Sequence, residues 1–235
     1  MSPAQLETWE RPATLERSVG QSVPRKEDGR LVKGQGAFTD DLWMHRMGHV
    51  HFVRSPHAHA IIKNIDTSAA LNAPGVLAVF TGKDLAADKI GGLICGWMIH
   101  SKDGTPMRVG PHPALALEKV RYVGDHVAVV IAETLNQAKD AAELVEVDYE
   151  VLPAVVDLAR AQDPGQPQIH AEAPNNTVFE WHLGDKEAVD AAFAKAAHVT
   201  KLELVNNRLI PNAMEPRAAI GEDDRGQDSY TLYTT

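Results

Sequence analysis

The residues best suited to chemistry stand near the end of the chain, where Glu215 and Arg217 flank Pro216. Proline holds the residue before it extended, so both side chains would point the same way from a strand. Two roles are open for this pair. The first is a structural salt bridge between them. The second is a functional role, in which the Arg217 guanidinium contacts an anionic cofactor, since guanidinium pairs well with phosphate and carboxylate oxygens.

Two pairs of histidines have a spacing that is compatible with metal binding. His49 and His51, and separately His57 and His59, are two residues apart, so each pair would face one side of a strand. No cysteine, and no carboxylate at ligand spacing, completes either set. Packing or turn roles are therefore expected, and no metal ligand is assigned.

The single cysteine, Cys95, lies in a glycine- and proline-rich stretch from Gly91 to Pro113. One cysteine excludes an intrachain disulfide and a cysteine-rich zinc or iron–sulfur site. We expect Cys95 to be a buried small hydrophobe rather than a nucleophile, although His100 and His112 are near it in sequence. A loop of this length is typical of a functional segment or of a partner contact, and a simple surface insertion is an equally open interpretation.

The elements that would position these residues follow a strand–helix–strand order that occurs twice. The first copy has strands at 48–54, 60–65 and 76–80, with a short helix within 66–73 and a turn at Pro74-Gly75. In the second copy, the apolar run Val127–Ala132 precedes a helix that begins with a Thr134–Gln137 capping box. Alternation over 145–151 then indicates a half-exposed strand. We expect this helix to connect two parallel strands in an α/β domain.

The regions on either side of this domain are more polar. Residues 1–30 are predicted to form an extended arm, residues 31–155 the α/β domain, and the proline-rich residues 156–180 a linker. Beyond the linker, Asp185 caps a predicted helix to about Ala197. Strands are expected at 198–204, 218–221 and 230–235. These elements of residues 181–235 are too few to close a core alone.

Composition excludes several classes of protein. The formal net charge is −9 with no basic run, so neither nucleic acid nor an anionic membrane is an expected partner. The N-terminus has no apolar segment typical of a secretory signal. With 44% hydrophobic residues the chain can bury a core, and we expect a cytoplasmic protein.

Several segments, taken together and in order, resemble one family from about residue 20 to the end of the chain. The segments are Val23–Asp41, Phe52–Ala60, Ile65-Asp66, Pro74–Val79, Thr81-Gly82, Val120–Ala128, Ala141–Tyr149, Asn207-Arg208 and Met214–Arg217. The family is the molybdenum hydroxylases, which include the large subunits of xanthine dehydrogenase, aldehyde oxidase and aerobic carbon monoxide dehydrogenase. The segments are most similar to the bacterial carbon monoxide dehydrogenase-like branch.

The resemblance implies a mixed α/β (α+β) fold: a hammerhead-type domain, then the first helix and strands of an incomplete molybdopterin-binding domain. It implies a molybdenum–molybdopterin dinucleotide in the full assembly, where water supplies the inserted oxygen. Iron–sulfur and FAD cofactors would reside in partner subunits. Glu215 and Arg217 match a motif near the pterin domain, and a cofactor contact is predicted for them.

Family large subunits are much longer than this chain, and their catalytic glutamate and most cofactor loops lie beyond the position that matches Thr235. No catalytic residue is therefore assigned. We expect an N-terminal portion of a large subunit that is inactive alone and that needs the remainder of that subunit, an iron–sulfur subunit and a FAD subunit. Two alternatives stay open: a stand-alone, non-catalytic assembly or interaction module, and a small enzyme that uses the histidines of the Gly91–Pro113 loop.

Overall fold

The computed structural model describes residue 20, residues 22–207 and residues 209–235. These form two compact units: His45–Glu203, and the residues up to Met44 together with Leu204–Thr235. The elements, in chain order, are α1 (Asp28–Leu31), β1 (His49–Arg54), β2 (Ala60–Asp66), α2 (Ser68–Leu71), β3 (Val76–Thr81), α3 (Gly82–Ala87), β4 (Lys119–Val120), β5 (His126–Ala132), α4 (Leu135–Ala142), β6 (Glu146–Val151), α5 (Lys186–Lys195), β7 (Ala219–Asp224) and β8 (Ser229–Thr234). Single 3₁₀ turns occupy Thr39–Asp41, Leu158–Arg160 and Pro174–Asn176. Most of the predicted arm lies outside the described residues.

The unit His45–Glu203 contains two three-stranded sheets. The first has the strand order β1-β5-β3 and the second has the order β4-β2-β6. Every ladder in these two sheets is antiparallel. The apolar run predicted as a covered strand is β5, which lies at the centre of the first sheet, and four of its residues are fully buried.

Both strand–helix–strand segments cross from one sheet to the other. Helix α2 connects β2 of the second sheet to β3 of the first, and α4 connects β5 of the first to β6 of the second. The mixed α/β fold class is confirmed, but the expected parallel crossover is wrong. A short helix links two sheets as readily as two strands of one sheet, and local sequence does not encode that β5 pairs with β1, about eighty residues away.

The core forms two clusters on either side of β5. Ala128 and Val130 pack with α4 in one cluster, while Val127 packs with Ala60 and Val120 in the other. The alternation of β5 explains this division, because successive side chains point to opposite faces. Alanines on the buried face of α4 let the helix lie close to the sheet.

The start of α4 follows the predicted cap in part. The Thr134 hydroxyl accepts a hydrogen bond from the Gln137 amide at 3.3 Å, as an N-cap should. It also donates to Gln137 Oε1 at 2.8 Å. The Gln137 side chain therefore meets the hydroxyl of the cap rather than its backbone amide, so the reciprocal bond of the predicted box does not form.

Helix α5 and the hairpin near the end of the chain also follow the sequence pattern. Asp185 caps α5 by accepting from the Ala188 amide at 2.9 Å. Strands β7 and β8 pair antiparallel, with Ala219 opposite Thr234. The strand predicted at 198–204 is wrong, because alternation supplies a face but not the backbone partner that a strand needs.

Among the described residues, no helix has the length and apolarity required to cross a membrane. The domain boundaries predicted near residues 30, 155 and 180 stay predictions.

Candidate functional site

The long Gly91–Pro113 loop is closed at its base by backbone contacts. The Leu93 amide donates to the His112 carbonyl at 2.7 Å. A Cβ on Gly92 would lie 2.7 Å from the same carbonyl oxygen, so only glycine allows this approach. The two ends of the loop therefore lie side by side.

The far part of the loop is held by the segment after the Pro174–Asn176 turn. The Arg108 amide donates to the Val178 carbonyl at 3.0 Å, and the Lys102 amide donates to the Glu180 carbonyl at 3.1 Å. The Ser101 hydroxyl accepts from the Glu180 amide at 3.1 Å. These bonds fix the conformation of a loop whose composition alone would suggest flexibility.

Residues 161–177 are shaped by one side-chain amide. Asn176 accepts from the Ile169 amide at 3.0 Å and donates to the carbonyls of Ala161 and Pro167 at 2.9 and 3.0 Å. The neighbouring His170 packs its ring directly on Gly110, where a Cβ would overlap the ring. This contact brings a histidine of the proline-rich segment to the base of the loop.

A cleft of about 340 Å³ lies between the loop, the residues around β4 and His170. Its polar lining contains three basic side chains, Arg108, Lys119 and Arg121, and one carboxylate, Asp125. His112 and His170 also line it. Apolar walls are supplied by Leu93, Ile94, Met107, Val109 and Val178.

The buried polar atoms of this cleft are only partly satisfied. The Asp125 carboxylate, on a residue that is 9% exposed, accepts from the Arg121 amide at 3.0 Å. Arg121 Nε and His170 Nδ1 are buried and meet no hydrogen-bond partner among the described residues. Burial lowers the pKa of His170, and the Arg121 charge lowers it further.

Of the residues singled out in the sequence, Cys95 and His112 reach this cleft. Cys95 is exposed and directs its Sγ to the Trp97 carbonyl at 3.4 Å, so the expectation of a buried cysteine is wrong. It lies in a loop that is held by backbone bonds rather than by a core. His100 is exposed and is held in a bridge with Pro106.

The paired histidines have separate surroundings. His49 and His51 lie on one face of β1, as predicted. His59 is 4% exposed and bonds through Nδ1 to the Pro153 carbonyl at 2.8 Å, while His57 packs edge-on against Tyr149. No group of three or more candidate ligands that could hold a metal occurs in the described part of the chain.

Glu215 and Arg217 are exposed and lie in the irregular segment that leads into β7, not in a strand. The salt bridge that the sequence allowed does not form between them in the described residues. The expected shared face depended on a strand, and that segment has no partner strand in the described part of the chain. Their cofactor contact stays a prediction.

Sequence reasoning missed the cationic residues of the cleft. Arg108, Arg121 and His170 stand in three separate segments, and no spacing rule connects them. The unusual length and glycine content of the loop indicated where the cleft lies, but they did not indicate that it is lined by basic side chains.

Two family models match the chain in sequence. Residues 33–153 match the model described as the a/b hammerhead domain of aldehyde oxidase and xanthine dehydrogenase. Residues 169–235 match the model described as a molybdopterin cofactor-binding domain. The first match contains both sheets of the unit His45–Glu203, and the second contains α5 and the β7–β8 hairpin.

Named relatives extend these matches. The carbon monoxide dehydrogenase large chain of Afipia carboxidovorans is 37% identical over 98% of this chain and 29% of its own length. The nicotine 6-hydroxylase large subunit of Paenarthrobacter nicotinovorans is 34% identical over 95% of this chain and 26% of its own. The solved quinoline 2-oxidoreductase from Pseudomonas putida 86 superposes with a TM-score of 0.78 at 33% identity, over 93% of this chain and 27% of that one. The chain thus spans little more than a quarter of the length of these relatives.

Proposed function

The chain belongs to the aldehyde oxidase and xanthine dehydrogenase family, and from that premise we propose that it serves as a portion of a molybdenum-binding large subunit. The observation that carries the proposal is the order of the two matches, hammerhead domain then molybdopterin-binding domain, along one chain. In this role the chain is a scaffold: its residues shape an oxidoreductase, and catalysis requires further residues.

The described residues do not fit a complete site for a molybdenum–pterin dinucleotide. The two residues for which a cofactor contact is predicted, Glu215 and Arg217, are exposed. Neither belongs to the buried, unpaired polar atoms that mark a site prepared for a ligand. A dinucleotide needs several converging donors for its phosphates and pterin. Arg217 is the candidate phosphate or pterin contact that this chain would contribute.

We assign the partners by the same resemblance. The relatives are named as a large chain and a large subunit, which supports an assembly with other subunits. We propose an iron–sulfur subunit and a FAD subunit as those partners, since electrons must leave the molybdenum centre. The relatives are named for carbon monoxide, nicotine and quinoline, so the substrate class of this chain stays open among small oxidisable carbon compounds.

The first test purifies the chain alone from a host that makes the pterin cofactor, and then measures molybdenum per chain. We expect far less than one molybdenum per chain and no turnover of carbon monoxide, an aldehyde or a purine. Stoichiometric molybdenum, or turnover without an added protein, would contradict the scaffold role.

A second arm separates the scaffold role from a stand-alone interaction module. The chain is co-expressed with a carbon monoxide dehydrogenase large chain from which the matching segment has been removed. A scaffold should restore molybdenum retention to the complex, and Arg217→Gln should reduce it, while the exposed Arg225→Gln serves as the matched control. A folded chain that neither associates with the shortened large chain nor restores its molybdenum would favour the stand-alone interaction module.

A further inference from the structure

The cationic cleft of the unit His45–Glu203 has no role in the scaffold proposal. Three basic side chains, those of Arg108, Lys119 and Arg121, line it together with the single carboxylate of Asp125. The whole chain carries a net charge of −9. A concentration of positive charge in a concave site of an acidic protein focuses potential on anions.

The carboxylate in the cleft offsets only part of this charge, because it stands against three basic side chains. Asp125 is nearly buried, and its Oδ2 already accepts the Arg121 backbone amide at 3.0 Å. Among the described residues, the Arg121 side chain donates only through Nη1 to the Lys119 carbonyl, at a long 3.4 Å. The guanidinium therefore keeps most of its donors available.

The buried Nε of Arg121 adds a specific demand. It has no acceptor among the described residues. This atom is enclosed by protein, so an anion in the cleft would pair with the Nη groups of the same guanidinium and would offset the cost of the unpaired Nε only through its charge. The His170 ring lines the same wall, with its enclosed Nδ1 against Gly110.

The walls define the rest of the ligand. Leu93, Ile94, Met107 and Val178 give the cleft an apolar side, and its volume of about 340 Å³ is within the range of small-molecule sites. Such a cleft suits a compact apolar body with one anionic head. We propose that it binds a small organic oxyanion, a phosphate monoester or carboxylate, whose head lies against Arg121 and Arg108.

The proposal is independent of the scaffold role, because it concerns residues 93–178 and requires no molybdenum. The test titrates the full chain with phenyl phosphate, benzoate or inorganic phosphate and measures the heat of binding by calorimetry. We expect saturable 1:1 binding of an aromatic anion, tighter than that of inorganic phosphate. Comparison of the phosphate and carboxylate heads then identifies the preferred anion.

Charge-matched variants decide whether the cleft is the site. Arg121→Gln should weaken binding at least tenfold, which corresponds to about 1.4 kcal/mol. Arg108→Gln should also weaken anion binding. Because Arg108 is exposed, this variant tests the site even if the Arg121 variant fails to fold. Arg160→Gln, which breaks only the exposed pair with Asp163 at 3.1 Å, is the control.

No saturable binding at millimolar aromatic anion would overturn the proposal. The proposal also fails if Arg160→Gln weakens binding as much as the two cleft variants, since the effect would then be one of net charge.

Discussion

At the scale of single residues, His126 is a titratable group placed in a strand of the core. Its ring stacks on Phe52, with centroids 4.5 Å apart, and its Nε2 is buried without a partner among the described residues. Burial lowers the pKa of His126, the Arg54 charge lowers it further, and Asp125 opposes the change. His126 is therefore held neutral in the folded chain at a pH where an exposed histidine would be charged.

This lowered pKa makes stability depend on pH in a defined direction. Below the ordinary histidine value of about 6.5, the unfolded chain binds a proton that folded His126 resists. Stability from this residue is complete above that pH and is lost as the pH falls below it. We expect the urea concentration at the unfolding midpoint to decrease as the pH is lowered from about 7.5 to about 5.5. The decrease should be smaller in the His126→Gln variant.

The lowered pKa of His170 acts in the same direction, so a residual dependence should persist in the His126 variant. His100→Gln is the control, because His100 is exposed and its removal changes no buried group. If the two variants and the parent chain show the same slope of midpoint against pH, His126 is not responsible.

Residue-scale features were predictable where they depend on near neighbours. The caps at Thr134 and Asp185 need only residues three positions away, and both form. The surroundings of His126 and Arg121 come from distant segments such as Phe52 and His170, and no local pattern encodes them. The sequence could therefore indicate the loop but not the cationic cleft.

At the scale of elements, the two strand–helix–strand segments show the same limit. Period-2 and helical patterns located β1 to β3 and β5, α4 and β6 within a few residues. The pairing was wrong, because hydrophobic alternation specifies which face of a strand is buried but not which strand lies beside it. The antiparallel partners of β5 are β1 and β3, and both precede it by tens of residues.

The alanine face of α4 makes a prediction for this element. Ala138 is fully buried on that face, so Ala138→Leu must displace neighbouring residues of the core. We expect a loss of about 1–3 kcal/mol in the free energy of unfolding, measured from urea denaturation.

Lys139→Leu is the matched control, since it places the same leucine on the exposed side of the same helix. It should change stability by less than about 0.5 kcal/mol. Equal losses in the two variants would mean that helix propensity, and not packing against the sheet, sets the effect.

At the scale of the whole molecule, the two units differ in how they are stabilised. The unit His45–Glu203 has two sheets and two core clusters with fully buried side chains. In the hairpin β7–β8, nearly every side chain is exposed, including Tyr230 at 82% and Leu232 at 69%. A two-stranded hairpin with so little burial is marginal in water.

This difference predicts two levels of amide exchange in the purified chain. Amides of β5 should exchange only through global opening of their unit, whereas those of β7 and β8 open locally and should exchange at least about tenfold faster. The half-exposed strand β6 has the same length as β7 and controls for strand length. The measurement is hydrogen–deuterium exchange at several protein concentrations, because self-association could cover the exposed apolar side chains. Hairpin amides that are as protected as β5 at every concentration would contradict this prediction, because they would show that the hairpin has packing in solution that its exposed side chains do not supply.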